Sequence, residues 1–506
     1  MPPEFLRWRL GFLAAGLACL LGCGSQTSAI GGRSGSTGGS GAPTPGPGTP
    51  SLAPEPSPVL GPTLVPGRPY LVKDIVPGFG DSYPRSLVDV DGTLFFIADD
   101  GLHGWELWRS DGTDDGTFMV KDINPSASQR CAGRCPAPPA PLGLARVGRQ
   151  LFFDGNDGMT GEEPWTSDGT ENGTVLLKDV NPGSGSSLYD GLDFIDLDGV
   201  AIFAASDPIS GQELWRSDGT PAGTRLVKDI NPGTASSAVP FGQRTIGLRT
   251  FLLADDGVHG NEPWVTDGTS SGTYMLRDIN KVPFLSTRPG SGATEFTALR
   301  YVYFMAYDGS SRDLWRTDGT EAGTTIVKRL PPGPKALFTE SGGRLFFWAE
   351  DPATGRELWA SDGTEAGTGV IGDARPGPAG SNPSEVTAFA GFVIFAAADD
   401  PHGIELWRSD GTAAGTFMVK DIRPGAGSAN PRNFVIAANR VYFTASDDNS
   451  CSLWMTDGTE DGTQAVTGSD GLCPVSLTPS GDRVFFSSGT RDVGSELWAI
   501  ELSPPR

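Results

Sequence analysis

One eight-residue stretch, Glu106-Leu107-Trp108-Arg109-Ser110-Asp111-Gly112-Thr113, returns along the chain and constrains its fold more than any other feature. Nine of the twelve tryptophans occupy the same place in this repeat, at intervals of 44 to 57 residues. A period near fifty, with several short strand patterns in each copy, is typical of β-propellers. The repeat tryptophans are Trp108, Trp165, Trp215, Trp264, Trp315, Trp359, Trp407, Trp454 and Trp498.

The first complete unit predicts one four-stranded antiparallel blade. Its strand patterns are 86–90, 94–98, 105–109 and 117–123, with a hairpin turn signal at Asp91-Gly92 and no helical periodicity. In the third strand, Glu106 and Trp108 point to the same face of the sheet. Because both faces of a blade lie against neighbouring blades, we expect each repeat tryptophan to fill the gap between two sheets.

The turn after the third strand carries a recurring Asp-Gly-Thr-x-x-Gly-Thr pattern. Its aspartate can accept hydrogen bonds from turn amides, and its first glycine can take a positive φ. The turn aspartates are Asp111, Asp168, Asp218, Asp267, Asp318, Asp362, Asp410 and Asp457. A catalytic carboxylate should be unique in the chain, so this pattern predicts a structural role. For Glu106 and its equivalents, we hypothesise ion pairs with lysines equivalent to Lys121.

The two ends of the repeat array complement each other. The ninth copy stops after its third strand at 496–500, and an unattached fourth-strand pattern at 70–78 precedes the first copy. An open array would leave a strand edge exposed. We therefore predict an all-β protein: a closed β-propeller of about nine four-stranded blades, whose N-terminal strand completes the last blade.

Residues 1–22 have the features of an export signal, with Arg7 and Arg9 before an apolar core from Leu10 to Leu21. Leu20-Leu21-Gly22-Cys23 resembles a bacterial lipobox, which implies cleavage before Cys23 and acylation of that cysteine by chains such as palmitate. An ordinary secretory signal that happens to contain Cys23 is the alternative. Residues 23–69 are rich in Gly, Ser, Pro and Thr, as in disordered tethers. The propeller then spans 70–506.

Four further cysteines are even in number, which in an exported chain favours disulfides over metal ligation. Cys131 and Cys135 lie within one insertion between units, so a local bond is plausible. Cys451 begins the third strand of unit eight, and Cys473 begins the first strand of unit nine. Loops before these two kinds of strand emerge on the same face of a propeller. We therefore expect a bond between Cys451 and Cys473 that joins adjacent blades.

The formal net charge of -23 disfavours nucleic acid and anionic lipid surfaces as partners. It is compatible with binding a basic protein or Ca²⁺. Acidic turns such as 89–92 and 196–199 resemble fragments of calcium loops but lack the ordered ligand spacing of an EF-hand. We predict no cofactor, with Ca²⁺ as the alternative, and no metal-ligating residue can be named.

The repeated Glu-Leu-Trp-x-Ser/Thr-Asp-Gly-Thr resembles the bacterial ELWxxDGT repeat family, found largely in exported and lipid-anchored proteins. The resemblance covers 70–502 and implies a propeller-like fold in the cell envelope, with no activity to transfer. Unit five has Asp313 for the glutamate, units two and four have Pro164 and Pro263 for the leucine, and unit eight has Ser452 for the glutamate. Unit nine lacks Asp-Gly-Thr.

Catalytic signals are weak. The three histidines, His103, His259 and His402, occupy one loop position in units one, four and seven, about 120° apart in a ring of nine blades. They are therefore interpreted as turn residues, and no catalytic residue is predicted. A sialidase-like hydrolase would need an arginine cluster at the ring centre, where Arg85, Arg146, Arg244 and Arg300 are scattered candidates.

The sequence thus favours a monomeric, lipid-anchored binding or scaffolding platform at the bacterial cell envelope. We predict an outer-membrane lipoprotein that faces the periplasm or the cell surface. Its partner would be a protein or a glycan, and its membrane contact would be the lipid anchor. The Asn/Arg-Pro-Gly segments near Asn181, Asn231, Arg375 and Arg423 are the candidate recognition face; turns that only close the fourth strand are the equal alternative. A glycan hydrolase and a Ca²⁺-dependent adhesin remain the other functional interpretations.

Overall fold

The structure is a computed structural model, and it describes residues 67–125, 141–188, 194–237, 244–281, 290–333 and 335–502. Within these ranges the chain forms 36 strands, numbered β1 to β36 in chain order, in nine four-stranded antiparallel sheets. The described part of the chain has no helix of the length and apolarity needed to cross a membrane. The prediction of an all-β propeller with nine blades is confirmed.

Each blade has a first, second, third and fourth strand, counted from the centre of the ring outwards. The first strands are β2 (Arg85–Val90), β6 (Leu142–Val147), β10 (Ile195–Leu197), β14 (Arg244–Ile246), β18 (Thr294–Ala298), β22 (Lys335–Ser341), β26 (Ser384–Phe389), β30 (Arg432–Ala437) and β34 (Val475–Ser480). The second strands are β3 (Thr93–Asp99), β7 (Gln150–Asn156), β11 (Val200–Asp207), β15 (Arg249–Asp255), β19 (Val302–Tyr307), β23 (Arg344–Asp351), β27 (Phe392–Asp399), β31 (Arg440–Ser446) and β35 (Arg483–Thr490).

The third strands carry the repeat tryptophans, and the fourth strands form the outer edge. The third strands are β4 (Trp105–Ser110), β8 (Glu162–Ser167), β12 (Gly211–Ser217), β16 (Asn261–Thr266), β20 (Arg312–Thr317), β24 (Gly355–Ser361), β28 (Gly403–Ser409), β32 (Cys451–Thr456) and β36 (Gly494–Glu501). The fourth strands are β5 (Phe118–Lys121), β9 (Val175–Leu176), β13 (Arg225–Lys228), β17 (Tyr274–Met275), β21 (Thr325–Lys328), β25 (Thr368–Val370), β29 (Phe417–Lys420), β33 (Gln464–Ala465) and β1 (Pro69–Lys73).

The ring closes as the sequence predicts. Strand β1 pairs antiparallel with β36, with Tyr70 opposite Ala499 and Leu71 opposite Trp498. The first strand of every blade contacts the first strands of both neighbours, including β2 against β34. The two chain ends of the array therefore lie in one sheet, blade nine, and none of its strand positions is vacant.

One hydrophobic cluster fills each gap between neighbouring blades, and each of the nine clusters contains one repeat tryptophan. Trp165 of blade two, for example, packs with Val120 and Ile123 of blade one. Eight of the indoles are 5–8% exposed, and Trp498 is half-buried. Burial of about 200 Å² per indole contributes several kcal/mol per gap, roughly, as an upper figure.

The propeller has two different faces. We call the side with the first-to-second hairpins and the third-to-fourth turns the turn face, represented in blade one by 91–92 and 111–117. The opposite side, with the second-to-third loops and the connections between blades, is the loop face, represented by 100–104 and 74–84. The disulfide Cys451–Cys473 joins blades eight and nine on the loop face, which confirms that expectation.

Candidate functional site

The Asp-Gly-Thr turns on the turn face use their polar groups to hold their own backbone. Oδ1 of Asp111 accepts hydrogen bonds from the backbone amide and the hydroxyl of Thr113, at 2.9 and 2.7 Å. A Cβ added to Gly116 would lie 2.0 Å from that same oxygen, so the second glycine of the pattern must lack a side chain. The other seven turn aspartates, at 168, 218, 267, 318, 362, 410 and 457, make the same pair of bonds.

These turns also connect blades. In six of the eight turns, the carbonyl oxygen of the first turn glycine accepts a hydrogen bond from a side chain of the preceding blade, as Gly169 does from Arg109 at 3.2 Å. Gly112 accepts one from the hydroxyl of Tyr70, which belongs to the closing strand. The arrangement is repeated around the ring and serves packing, so it offers no distinctive chemical site.

In seven blades a glutamate lies two residues before the repeat tryptophan and forms what we call the carboxylate latch. Glu163 is buried and accepts hydrogen bonds from the amides of Val180 and Asn181, at 2.9 and 3.3 Å, and from the hydroxyl of Ser187, at 2.6 Å. Ser187 is the serine that ends the Pro-Gly segment of the connection to the next blade. The same glutamate role recurs at 106, 213, 262, 357, 405 and 496.

The hypothesis that these glutamates pair with the fourth-strand lysines is wrong. Lys121 Nζ instead donates to the carbonyl oxygen of Thr174 in the next blade, at 2.8 Å, and lies 5.9 Å from the ring centroid of Trp165. The glutamate carboxylate instead accepts hydrogen bonds from the backbone amides that follow the fourth strand, because the chain turns there. This also explains why β5 ends at Lys121 and not at Ile123 as the pattern predicts.

Burial raises the pKa of the latch carboxyl groups, to about 8 at Glu106 and about 7 at Glu163. The amide donors oppose this shift, since they favour the charged carboxylate. The neighbouring carboxylates Asp122 and Asp179 add to it by like-charge repulsion. The same cause, burial, raises the pKa to about 7 at Glu262, Glu405 and Glu496.

Two blades depart from the latch, and each compensates. In blade five the carboxylate is Asp313, and Arg329 replaces the neighbouring aspartate and pairs with Asp313 at 2.8 Å. In blade eight Ser452 replaces the glutamate and Leu472 stands where the latch serine would be. Cys451 and Cys473 flank these two positions directly and form the disulfide. A covalent bond thus holds the one connection that has no latch carboxylate.

The histidines are turn residues in the structure. Nδ1 of His103 lies 2.6 Å from Oδ2 of Asp100, and His259 and His402 contact Asp256 and Asp399 in the same way. At the equivalent place in blade three, the hydroxyl of Ser210 donates to Asp207. A hydroxyl therefore does the same work as the imidazole.

The other sequence candidates for chemistry do not converge. Arg146 pairs with Asp91 at 2.7 Å, and the guanidinium of Arg85 stacks on Trp105 at 3.8 Å. Oδ2 of Asp196 accepts a hydrogen bond from the amide of Gly148. Within the described ranges, no group of three or more His, Cys, Asp or Glu side chains could hold a metal ion. Cys23, Cys131 and Cys135 lie outside the described residues, so their predicted acylation and pairing stay predictions.

The loop face is where the repeat loses its symmetry. In blades one to four, the residue at the tip of each second-to-third loop is apolar and exposed. In the five following blades the same position is small or polar. The apolar tips are Leu102 (70% exposed), Met159 (73%), Ile209 (81%) and Val258 (50%). The remaining tips are Ser310, Ala353, Pro401, Asn449 and Asp492.

The turn itself does not require an apolar tip. The amides of Leu102 and Met159 donate to Oδ1 of the aspartate two residues earlier, at 2.8 Å each, but the amide of Ser310 makes the same bond to Asp308 at 2.9 Å. The backbone is thus held equally in both halves, and only the side chain differs. Apolar side chains held at exposed positions in four consecutive blades are a feature of interaction surfaces.

The connection from blade nine to blade one extends this surface. Phe79 is 81% exposed and Tyr83 is 53% exposed. The ring of Tyr83 lies 6.4 Å from that of Trp105, whose other contact is the guanidinium of Arg85. We call Phe79, Tyr83, Leu102, Met159, Ile209 and Val258 the apolar arc. Sequence reasoning missed it, although comparing the tip position across the nine units would have revealed four apolar residues in succession.

The connections differ between the two halves in charge as well. In the connections that follow blades six and seven, Arg375 and Arg423 pair with Asp400 and Asp448 of the next blade, at 2.6 and 3.1 Å. The connections after blades two, three and four have asparagine at this position. Asn181 and Asn231 donate to the carbonyl oxygens of Ser186 and Ser236 within their own connection. The Asn/Arg-Pro-Gly segments therefore have structural contacts, and their arginines neutralise only one half of the loop face.

Comparison with known proteins found only distant structural similarity. No protein-family model matches the sequence, and a search of curated proteins found no match. Among solved structures, the computationally designed Ika8 protein is similar at 15% identity and a TM-score of 0.39, covering 72% of this chain and 96% of Ika8. Puromycin hydrolase is similar at 14% identity and a TM-score of 0.35, covering 76% of this chain and 61% of the hydrolase. A prolyl endopeptidase gives 10% identity, a TM-score of 0.39, and coverage of 74% and 55%.

Proposed function

We propose that this protein is a non-catalytic binding platform, anchored to the bacterial cell envelope through an acylated Cys23, and that the apolar arc is its recognition surface for a partner protein. The observation that carries the proposal is the break in symmetry on the loop face. The aspartate that holds the loop backbone makes the same bond in blades with apolar tips and in blade five with its polar tip, so the four exposed apolar tips in succession have no structural purpose.

The repeat chemistry supports binding over catalysis. The turn aspartates, latch glutamates and loop histidines each accept or donate hydrogen bonds within their own turns or connections. Exposed apolar and aromatic side chains on a rigid scaffold are what protein recognition surfaces provide, since ordering costs on binding are then small.

The position of the N-terminal strand is compatible with an anchor. Strand β1 is a fourth strand, so it starts at the turn face and ends at the loop face. The chain that leads from Cys23 therefore joins the propeller on the side opposite the apolar arc.

The anchor is tested by changing Cys23→Ala in the producing bacterium and measuring how the protein divides between membrane and soluble fractions. We expect the parent protein in the membrane fraction, with acyl chains on its N-terminal peptide by mass spectrometry. The variant should be soluble. Membrane association that survives the substitution would refute the lipid anchor.

The recognition surface is tested by photo-crosslinking in the same cells. A benzophenone amino acid replaces Leu102 in one variant and Leu248 in the other, because both are 70% exposed but Leu248 lies on the turn face. We expect a discrete crosslinked species from position 102 alone. Equal crosslinking from both positions, or from neither, would contradict the proposal.

A further inference from the structure

The apolar arc is acidic as well as apolar. The second-to-third loops of blades one to four, residues 99–104, 156–161, 207–211 and 255–260, contain six aspartates and no lysine or arginine. The tip carboxylates Asp100, Asp157, Asp207 and Asp256 accept hydrogen bonds from their own loops. Within the described residues, none of these four carboxylates forms an ion pair with a lysine or an arginine.

The other half of the loop face is built differently. Asp308, Asp400 and Asp448 in blades five, seven and eight each pair with an arginine, at 2.7, 2.6 and 3.1 Å. Arginines thus offset part of the acidity of the loop face in blades five, seven and eight. Asp351, Asp399 and Asp447, the equivalents of Asp100 in blades six to eight, form no ion pair with an arginine within the described residues. In the described parts of blades one to four no arginine offsets any of the four tip carboxylates, and there the acidic loops coincide with the apolar tips. A surface that combines apolar contacts with negative charge complements a partner that combines apolar side chains with positive charge.

We infer that the occupant of the apolar arc is a segment of a partner protein in which apolar side chains alternate with, or are flanked by, lysine and arginine. This inference rests on the proposed function and names the partner's chemistry. The apolar side chains contact Leu102, Met159, Ile209 and Val258, and the cations lie near the aspartates beside each tip.

Blade one provides the strongest part of this surface. Tyr83, Trp105 and Leu102 bring aromatic and aliphatic area together with the guanidinium of Arg85, and such residues dominate the binding energy of protein interfaces. Arg85 lies on the face of Trp105, so it does not neutralise the aspartates of the second-to-third loops. Apolar contact is therefore strongest in blade one, and the acidic tips extend from there through blade four.

A neutral bilayer surface is the competing occupant of exposed apolar tips. It would take up apolar side chains without regard to their charge, and the overall net charge of -23 disfavours anionic lipid. The two occupants differ in their response to salt, because an electrostatic contact with a basic segment weakens as ionic strength rises.

The test uses the full chain and a fluorescent amphipathic peptide of leucine and lysine, with a peptide in which glutamate replaces every lysine as its control. Binding is measured by fluorescence anisotropy at low and high salt. We expect the leucine–lysine peptide to bind and the control peptide not to bind. Kd should rise roughly tenfold in Leu102→Ser and by a similar factor in Ile209→Ser, since each variant loses an exposed aliphatic side chain that the bound peptide would cover. Kd should stay unchanged in Leu248→Ser, the matched turn-face control.

Equal binding of both peptides, or an equal loss of affinity in Leu248→Ser, would overturn the inference. So would co-sedimentation of the full chain with phosphatidylcholine vesicles that Leu102→Ser abolishes but Cys23→Ala does not. A crosslink from position 102 in cells, combined with no binding of the leucine–lysine peptide, would leave the platform intact and remove only the basic-segment partner.

Discussion

Removing the disulfide between blades eight and nine should lower the free energy of unfolding, and the length of the loop that it closes sets the size of the loss. The bond closes a loop with a sequence separation of 22 residues. The chain-entropy relation then gives a loss of about 3 kcal/mol in the free energy of unfolding, because the unfolded chain gains freedom when the bond is absent. Spread over a domain of roughly 440 residues, this corresponds to a fall in Tm of about 3 °C.

The perturbation is the double variant Cys451→Ser/Cys473→Ser, followed by differential scanning calorimetry with and without a reductant. The variant isolates the bond that the structure describes, whereas a reductant also breaks any bond between Cys131 and Cys135. Wild-type protein should lose at least as much Tm on reduction as the variant loses by substitution. An excess loss on reduction would indicate the second predicted disulfide.

A matched comparison tests the idea that the disulfide takes the place of a carboxylate latch. Ser187→Ala removes one hydroxyl donor from Glu163 and should cost about 1–2 kcal/mol, because a buried acceptor then loses a partner. The double serine variant should be the more destabilised of the two. If it unfolded at the wild-type temperature, the reasoning that blade eight depends on its covalent bond would be refuted.

Three other substitutions or conditions test the repeat itself. Gly223→Ala should lower stability by about 1–3 kcal/mol because its Cβ would meet the Asp218 carboxylate at 2.0 Å, whereas Gly372→Ala, with open space around it, should be neutral; thermal melts of the pair compare them. Trp215→Ala should cost about 3–5 kcal/mol by opening the gap between blades two and three, measured by urea unfolding, and a cost below about 1 kcal/mol would contradict a core role. The free energy of unfolding should fall as pH rises from about 5 to 8. The latch carboxyl groups have pKa values near 7 to 8 in the folded chain, above their ordinary value. In this range the folded chain therefore holds protons that the unfolded chain has released, and it loses that advantage as pH rises. Tm measured across this range should decline less in Glu163→Gln than in wild type, and a rising Tm would show that these carboxyl groups ionise without cost.

Much of the fold followed from the sequence because two signals reinforced each other. Trp108 and its equivalents fixed the period, and the fourth-strand pattern at 70–78 matched the missing strand of unit nine. Both depend on regular alternation and on tight turns, which local residue types determine strongly. Strand ends were less exact: the predicted 117–123 is Phe118–Lys121, because Glu106 withdraws the following amide from the ladder.

The role of the glutamates could not be obtained in this way. Opposite charges at Glu106 and Lys121 suggested an ion pair, but the lysine reaches a carbonyl oxygen of the next blade. Backbone amides and side chains compete to donate hydrogen bonds to a buried carboxylate. Only the course of the chain after the fourth strand shows which of these groups lies close enough to do so. The role of Ser187 could not be predicted for the same reason, since this serine lies next to Glu163 only in three dimensions.

The apolar arc was accessible in principle but lay outside the repeated positions. The octapeptide is made of residues that recur from blade to blade, and in the structure these residues build turns and latches. The residues that we propose for binding are those that differ between blades at one structural position, such as Leu102 against Ser310. Exposure had to be known before that difference could be interpreted.

We propose that recognition is confined to blades one to four of the loop face, and a scan of all nine loop tips distinguishes these blades from the other five. A benzophenone amino acid is placed in turn at 102, 159, 209 and 258, and then at 310, 353, 401, 449 and 492, in the producing bacterium. We expect crosslinks to the same partner from the first four positions and none from the other five. Crosslinks distributed evenly over all nine tips, or concentrated in blades five to nine, would contradict it.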